Sequence, residues 1–111
     1  MNRTSQLVAA ALVTAGLSMP LSAWAAGDSA RGMELFTVCA SCHGGDGRST
    51  SMQQYPKIGG QNEGYLINAL KAYRDGRRQG TFAAIMAETA KTLSDQDIAD
   101  LASYIVSLGA S

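Results

Sequence analysis

The sequence contains few of the residues that build disulfide frameworks and multi-ligand metal sites. Its 111 residues include one histidine, two cysteines and two prolines. Two cysteines form at most one disulfide, so a disulfide-rich framework is excluded. Zinc sites use three or four protein ligands, and this chain offers two Cys and its single His with no second cluster. This shortage disfavours zinc binding.

An excess of positive charge and an alternating strand pattern are also missing. Nine Lys and Arg residues balance nine Asp and Glu residues, so the formal net charge is zero. A nucleic-acid-binding protein is usually basic, and we therefore expect no nucleic-acid partner. No run of β-branched and aromatic residues alternates with period two, which excludes a strand-rich fold and the βαβ context of a thioredoxin-like dithiol.

The first 25 residues have the pattern of a secretory signal peptide. Arg3 precedes an apolar run over residues 6–19, and an Ala-Trp-Ala cleavage pattern ends at Ala25. The run is short for a transmembrane helix, and the cleavage pattern disfavours an uncleaved membrane anchor. We expect cleavage after Ala25, export to the periplasm of a Gram-negative type of cell, and no stable membrane insertion afterwards. Residues 26–111 then form one domain.

Helical periodicity and capping residues predict an all-α domain of about four short helices. The predicted helices run from Asp28 or Ser29 into residues 39–43, from about 62 to 75, from about 82 to 91, and from 94 to 108. Glycines and Pro56 predict a loop over residues 44–61. The predicted buried faces are Ala30, Met33, Phe36 and Thr37 on the first helix, Leu66, Ala69, Leu70 and Tyr73 on the second, and Ile98, Leu101, Ala102, Ile105 and Leu108 on the last.

The motif from Cys39 to His43 carries the chemistry. Cys39-Ala40-Ser41-Cys42-His43 is a C-x-x-C-H sequence, the attachment signature of haem c. Each thiol can form a thioether with a haem vinyl group, and the adjacent imidazole of His43 can bind the iron. The motif occurs once, so we expect one haem c, covalently bound through Cys39 and Cys42.

The second axial ligand of such an iron is predicted to be Met86. No second histidine exists, and methionine is the usual alternative. Met33 precedes the haem motif and Met52 follows His43 by nine residues, so both would have to reach around the porphyrin. Met86 lies beyond a loop and a helix and can return on the other face. A methionine that only fills the core is the alternative interpretation.

The sequence resembles the class I c-type cytochromes, specifically small bacterial monohaem forms. The similar stretches are CASCHG (residues 39–44), YPKIGGQNEGYL (residues 55–66) and MAETAKTLSDQDIADLASY (residues 86–104). They occur in the family's order and span most of residues 26–111. The resemblance implies a cytochrome c-like fold wrapped around one covalently attached haem.

The resemblance also implies roles for individual residues. Pro56 matches a proline whose carbonyl accepts a hydrogen bond from the proximal imidazole, which would orient His43. Gly32, Phe36 and Tyr104 match the residues through which the first and last helices cross. With His43 and Met86 as iron ligands, no coordination site remains for a substrate.

We therefore expect a periplasmic one-electron carrier that is not an enzyme and that exchanges electrons with a protein donor and a protein acceptor. We expect it to be a monomer, and its partners to be respiratory or dehydrogenase proteins. A cytochrome subunit of a periplasmic dehydrogenase is one alternative. A haem ligand sensor or peroxidase-like enzyme is another, if Met86 does not bind the iron.

Two sets of charged residues have no role in this chemistry. Lys71, Arg74 and Arg78 share one face of the second predicted helix. They could dock an acidic partner or meet a haem propionate, but a solvated face near a helix C-terminus is the more common arrangement. Asp95, Asp97 and Asp100 are interpreted as charges at a helix start.

Overall fold

The computed structural model describes residues 9–11, 16 and 26–109. The predicted signal peptide, residues 1–25, lies outside the described residues apart from 9–11 and 16. The described chain contains five helices and no strand: α1 Ser29–Leu35, α2 Thr37–His43, α3 Glu63–Arg74, α4 Ala83–Ala90 and α5 Asp95–Ser107. No helix within that part of the chain is long and apolar enough to cross a membrane.

The last three helices agree closely with the predicted ones because local signals define their ends. Asn62 and Asp75 flank α3, and Phe82 and Lys91 flank α4. At the start of α5, the Ser94 hydroxyl accepts a hydrogen bond from the Asp97 N–H at 3.0 Å, and the Asp97 carboxylate accepts one from the Ser94 N–H at 2.9 Å. This reciprocal capping box satisfies two backbone donors that the helix itself leaves free.

The predicted first helix is divided into α1 and α2 at Phe36, which accounts for five helices where about four were expected. The Asp28 carboxylate caps α1 by accepting from the N–H groups of Ala30 and Arg31. Phe36 keeps right-handed helical dihedral angles, and its carbonyl accepts from both Cys39 and Ala40. The chain therefore changes its hydrogen-bond pattern at Phe36 without changing direction sharply.

α5 forms the centre of the core. Ile98, Leu101, Ala102 and Ile105 are at most 3% exposed, as the apolar stripe predicted. α1 packs against one side of α5, and α3 packs against another. The buried cluster joins these elements through Phe36, Leu66, Leu101, Ala102 and Ile105.

The α1–α5 crossing brings two backbones into direct contact at Gly32. A Cβ atom built on Gly32 would overlap the carbonyl of Asp100 and lie 2.9 Å from Tyr104 Cβ. The ring of Phe36 packs edge-on against that of Tyr104, with centroids 5.3 Å apart. The residues expected to mediate this crossing therefore do so. The expected buried face is confirmed at Phe36, which is 3% exposed. It is wrong for Ala30, Met33 and Thr37, which are exposed because the approach at Gly32 sets the rotation of α1.

A buried carboxylate completes the crossing. The side chain of Asp100 is 1% exposed and accepts hydrogen bonds from the Asp28 N–H, the Arg31 guanidinium and the Gln96 amide at 2.6–2.8 Å. Burial opposes ionisation, but these donors outweigh it and hold the pKa of Asp100 below its ordinary value. The interpretation of Asp100 as a charge at a helix start is therefore wrong, since it lies beyond the first turn of α5 and is buried at the crossing.

Candidate functional site

A cavity of about 400 Å³ lies on the side of α5 away from the α1 crossing. Its walls come from α2, the loop after α2, α3, the segment from Arg78 to Thr89, and α5. The lining residues are Val38, Cys39, Cys42, His43, Gln54, Tyr55, Pro56, Ile58, Gln61, Tyr65, Leu66, Ala69, Leu70, Tyr73, Arg78, Phe82, Ile85, Met86, Thr89, Leu101 and Ile105. Most of these side chains are apolar or aromatic, so the cavity is suited to a flat apolar ligand.

The predicted buried stripe of α3 supplies one wall of this cavity. All four of its residues, Leu66, Ala69, Leu70 and Tyr73, line the space, and only Leu66 is fully buried. An apolar stripe with period 3.6 identifies the inward face of a helix but does not say whether protein or ligand covers it. The periodicity therefore predicted the correct face of α3 without indicating the cavity.

Cys39 and Cys42 present two free thiols to the cavity from α2. Residues three positions apart share a helix face, which explains why both reach the same space. Burial raises the pKa of the Cys39 thiol from 9.0 to about 11, so the folded chain holds this group protonated at neutral pH.

His43 is the last residue of α2 and is 6% exposed. Its Nδ1 lies 2.8 Å from the carbonyl oxygen of Pro56. Because a carbonyl oxygen only accepts, this contact requires the proton on Nδ1 and leaves the electron pair on Nε2. Gly44 ends α2 with φ +84°, a conformation that favours glycine, and turns the chain into the loop that carries Pro56.

Two further contacts hold that loop in place. The carboxylate of Asp46 accepts from the N–H groups of Arg48 and Ser49 and from the Ser49 hydroxyl at 2.7–2.8 Å. The Gly60 N–H donates to the carbonyl of Ile105 on α5 at 2.9 Å. The acceptor of the His43 hydrogen bond is therefore built into a loop that is fixed to the core.

The three methionines that the structure describes differ in whether they line the cavity. Met86, on α4, is partly buried and lines the cavity with His43. Met33 is 55% exposed and Met52 is 45% exposed, and neither lines the cavity. The structure therefore brings Met86 and His43 together from different helices and leaves the other two candidates outside.

The predicted basic face of α3 divides into three different environments. Arg74 forms ion pairs with Asp75 and Asp95 at 3.1 and 2.7 Å and also donates to the Leu93 carbonyl. The positive charge of Lys71 contributes to the lowered pKa of Asp95, after the larger effect of the Arg74 hydrogen bond. Arg78 instead lies at the cavity, with its guanidinium carbon 4.5 Å from the centroid of the Tyr73 ring.

An aromatic pair on the cavity wall was not predicted from the sequence. Tyr55, from the loop after α2, packs edge-on against Phe82, at the start of α4, with centroids 5.8 Å apart. The two residues are 27 positions apart and carry no shared motif. Because their meeting depends on how the loop folds back, local sequence patterns held no signal for it.

The cavity fits the group that the C-x-x-C-H motif implies. A haem offers an apolar macrocycle to apolar walls, vinyl groups to two reduced thiols, and iron to an imidazole nitrogen and a thioether sulphur. The volume lies within the usual range for ligand sites of roughly 300–1,000 Å³. Every donor that the motif requires therefore lines one space.

The comparisons with known proteins agree with this chemistry. The family model Cytochrome c matches residues 29–109. Cytochrome c-554(548) of Halomonas halodenitrificans is 48% identical over 79 residues, which cover 71% of this chain and 94% of the relative. Cytochrome c4 of Pseudomonas aeruginosa is 40% identical over 103 residues, which cover 93% of this chain and 48% of the relative.

A solved structure has a similar fold. The chain superimposes on reduced recombinant cytochrome c4 from Pseudomonas stutzeri with a TM-score of 0.64 and 31% identity, covering 74% of this chain and 51% of the other. The chain thus spans about half the length of the cytochromes c4 that it matches.

Proposed function

The chain belongs to the cytochrome c family, a family with covalently bound haem c, and from this premise we propose that it is a periplasmic monohaem one-electron carrier. Cys39 and Cys42 would attach the haem, and the His43 imidazole and the Met86 thioether would bind its iron. The observation that carries the proposal is that all four side chains line a single, largely apolar cavity.

The two thiols act as attachment points. Cys39 and Cys42 would each hold the haem through a thioether, the thiol hydrogen passing to the vinyl carbon next to the new carbon–sulphur bond. This addition needs reduced thiols and no external oxidant, and both cysteines are free. Two attachments from one helix fix the macrocycle next to His43, the residue that follows Cys42.

His43 is oriented as an iron ligand by its second nitrogen. The Nδ1 proton is donated to the Pro56 carbonyl at 2.8 Å, which leaves Nε2 as the coordinating atom. Such a hydrogen bond also raises the basicity of the ligand nitrogen. Pro56 therefore contributes through its backbone and needs no side-chain chemistry.

Met86 and the apolar walls favour electron transfer over bond chemistry. A bound haem supplies a one-electron change at its iron. A thioether ligand such as Met86 would raise the reduction potential, and two protein ligands would leave no coordination position for a substrate. We therefore propose a carrier without catalytic residues, acting between a protein donor and a protein acceptor as a monomer after removal of residues 1–25.

The ligand assignment is tested with Met86→Leu and the matched control Met52→Leu. In the oxidised protein, the weak charge-transfer band from thioether sulphur to ferric iron should be present in the wild type and in Met52→Leu. It should be lost in Met86→Leu, because leucine has no donor atom. Absence of the band from the wild type, or its survival in Met86→Leu, would show that Met86 is not the ligand.

Two further measurements test attachment and the alternative functions. Acid-acetone should leave the haem on the protein, and free extraction would contradict thioether attachment. Rapid binding of carbon monoxide to the reduced wild type would indicate an open iron site and favour the sensor or peroxidase-like alternative. Stoichiometric copurification with a periplasmic dehydrogenase would indicate an enzyme subunit rather than a free carrier.

A further inference from the structure

The first turn of α4, which leads to Met86, is weakly capped. Phe82 occupies the N-cap, and its side chain makes no capping hydrogen bond. The hydrogen bond from the Met86 N–H to the Phe82 carbonyl is long, at 3.4 Å. Ala90, at the other end of the helix, is fully buried, whereas Thr81 and Ala84 are exposed. The start of α4 therefore depends on side-chain contacts to hold its position.

The loop after α2 is held more firmly than the start of α4. The Ser51 N–H donates to the Cys42 carbonyl at 3.0 Å. Tyr55 follows in the same loop and precedes Pro56, whose carbonyl oxygen lies 2.8 Å from His43 Nδ1. Tyr55 therefore belongs to the segment that orients His43.

The rings of Tyr55 and Phe82 join this loop to the start of α4. They pack edge-on, with centroids 5.8 Å apart and ring planes at 88°, which is a favourable geometry for two aromatic rings. Both rings line the cavity, as do His43 and Met86. Phe82 lies four residues before Met86, a spacing that places two residues on one helix face. The Tyr55–Phe82 pair therefore connects the segment that orients His43 with the helical turn that carries Met86.

We propose that Phe82 is a positioning residue, which holds the Met86 thioether within reach of the iron through its ring contact with Tyr55. The inference rests on the proposed function, because Met86 has an iron to bind only if the cavity holds haem. The ring contact supplies a restraint that the N-cap of α4 does not. Without it, the first turn of α4 would move more freely, and Met86 would be displaced from the iron in a larger fraction of the molecules.

This role has a consequence for the binding of external ligands. Imidazole can bind the ferric iron only when the thioether of Met86 is displaced. Its apparent dissociation constant therefore falls as the fraction of molecules with a displaced Met86 rises. A ring that only obstructed entry to the cavity would act differently, since its removal would change the rates of binding and release by one factor and leave the equilibrium unchanged.

The experiment measures imidazole binding to the oxidised, haem-loaded protein, followed by loss of the thioether charge-transfer band. Phe82→Leu and Tyr55→Leu each remove one ring and keep an apolar side chain, so that either variant tests the contact if the other fails to fold. Phe82→Tyr keeps the ring. Thr81→Ala is the matched control, because Thr81 is adjacent to Phe82 and exposed but does not line the cavity. Stopped-flow mixing gives the rates of binding and release.

We expect Phe82→Leu and Tyr55→Leu each to lower the apparent dissociation constant for imidazole by about three- to tenfold, the size expected for the loss of one aromatic pair. Phe82→Tyr and Thr81→Ala should bind imidazole as the wild type does. The double variant Tyr55→Leu/Phe82→Leu should bind no more tightly than the stronger single variant, because either substitution alone already breaks the contact.

Two results would overturn the proposal. Equal dissociation constants for the wild type and Phe82→Leu, whatever their rates, would mean that the ring does not hold Met86 in place. Effects of the two single variants that multiply in the double variant would mean that Tyr55 and Phe82 act independently. In both cases a wild type with attached haem and its thioether band would leave the proposed carrier function standing, whereas a wild type without them would overturn that function itself.

Discussion

The two sides of α5 are packed in different ways. On the first side, α1 crosses α5 with backbone contact at Gly32, and a buried carboxylate, Asp100, has three donors for its two oxygens. On the second side, Leu101 and Ile105 face a cavity of about 400 Å³ between α2, α3 and α4. The first interface is filled by the chain alone, and the second has apolar walls that would pack against a haem.

This difference predicts that the two sides of α5 depend on a bound cofactor to different degrees. The α1–α5 crossing has close packing and satisfied polar groups that involve no cofactor. The walls of the cavity gain their packing only when an apolar body fills the space. Val38 and Ile85 line this cavity and belong to the same side of the molecule.

Removing the haem attachment should have the largest effect on stability, and it should act mainly on the cavity side of α5. The double variant Cys39→Ala/Cys42→Ala loses both thioethers and allows the haem to leave. An empty cavity of about 400 Å³ costs up to roughly 10 kcal/mol at about 24 cal/mol per Å³, which is comparable to the whole stability of a small domain. We expect the thermal unfolding transition, followed by far-UV circular dichroism, to be lost or strongly lowered.

Hydrogen exchange would show which helices lose stability in the haem-free variant. Amides of α3 and α4 should exchange much faster in the haem-free variant, while those of α5 that face α1 should keep the most protection. Equal loss of protection on both sides of α5 would mean that the α1–α5 crossing also depends on the haem, and the division into two kinds of interface would be wrong.

Gly32→Ala tests the packed side directly. Its new Cβ would overlap the Asp100 carbonyl, so the two helices must separate, and we expect a loss of about 3 kcal/mol or more in the free energy of unfolding. Gly64→Ala in α3 is the matched control, because a Cβ at this position would meet open space, with no neighbouring atom within 4 Å. This control should be neutral or stabilised by up to about 1 kcal/mol. Chemical denaturation of both holoproteins measures the difference.

Asp100→Asn should have the smallest effect of the three and adds a pH dependence. Burial of Asp100 opposes its ionisation. The hydrogen bonds from the Asp28 N–H, the Arg31 guanidinium and the Gln96 amide outweigh this effect and lower its pKa below 3.8 in the folded protein. Stabilisation from the carboxylate is therefore complete above that value and is lost as the pH falls below it. We expect Asp100→Asn to lose about 1–2 kcal/mol at neutral pH.

The pH profile distinguishes the charge from a general packing defect. The stability difference between the wild type and Asp100→Asn should shrink as the pH falls below about 4. A difference that is independent of pH would mean that the carboxylate charge contributes nothing. Asp95→Asn provides the control, since its side chain is 53% exposed and should cost much less at any pH.

Local signals in the sequence predicted α3, α4 and α5 well. Ser94 with Asp97 marks the start of α5 through hydrogen bonds within one turn. Asn62 stands at the N-cap of α3 as predicted, although its side chain makes no capping hydrogen bond. The buried stripe of α5 followed from the 3.6-residue period alone. The C-x-x-C-H motif and Met86 were identified as candidates for one site, and the structure puts both on the wall of one cavity.

Features that depend on tertiary contacts were not predicted correctly. Apolar residues were assigned to the inner face of the first helix, but the close approach at Gly32 rotates that helix and exposes Met33. Asp100 was interpreted as a charge at a helix start because its partner Arg31 is 69 residues away. The different surroundings of Arg74 and Arg78 likewise depend on which elements fold against them, and not on their spacing in α3.

The α1–α5 crossing also imposes an order of events while the chain is made. The Asp28 N–H and its acceptor Asp100 are 72 residues apart, and the helix that completes the crossing is the last to be synthesised. Residues 39–43 emerge long before it. If haem attaches through these thiols, as proposed above, they would be accessible before α5 completes the buried cluster against which Cys39 packs. Synthesis from the N-terminus thus favours attachment first and closure afterwards.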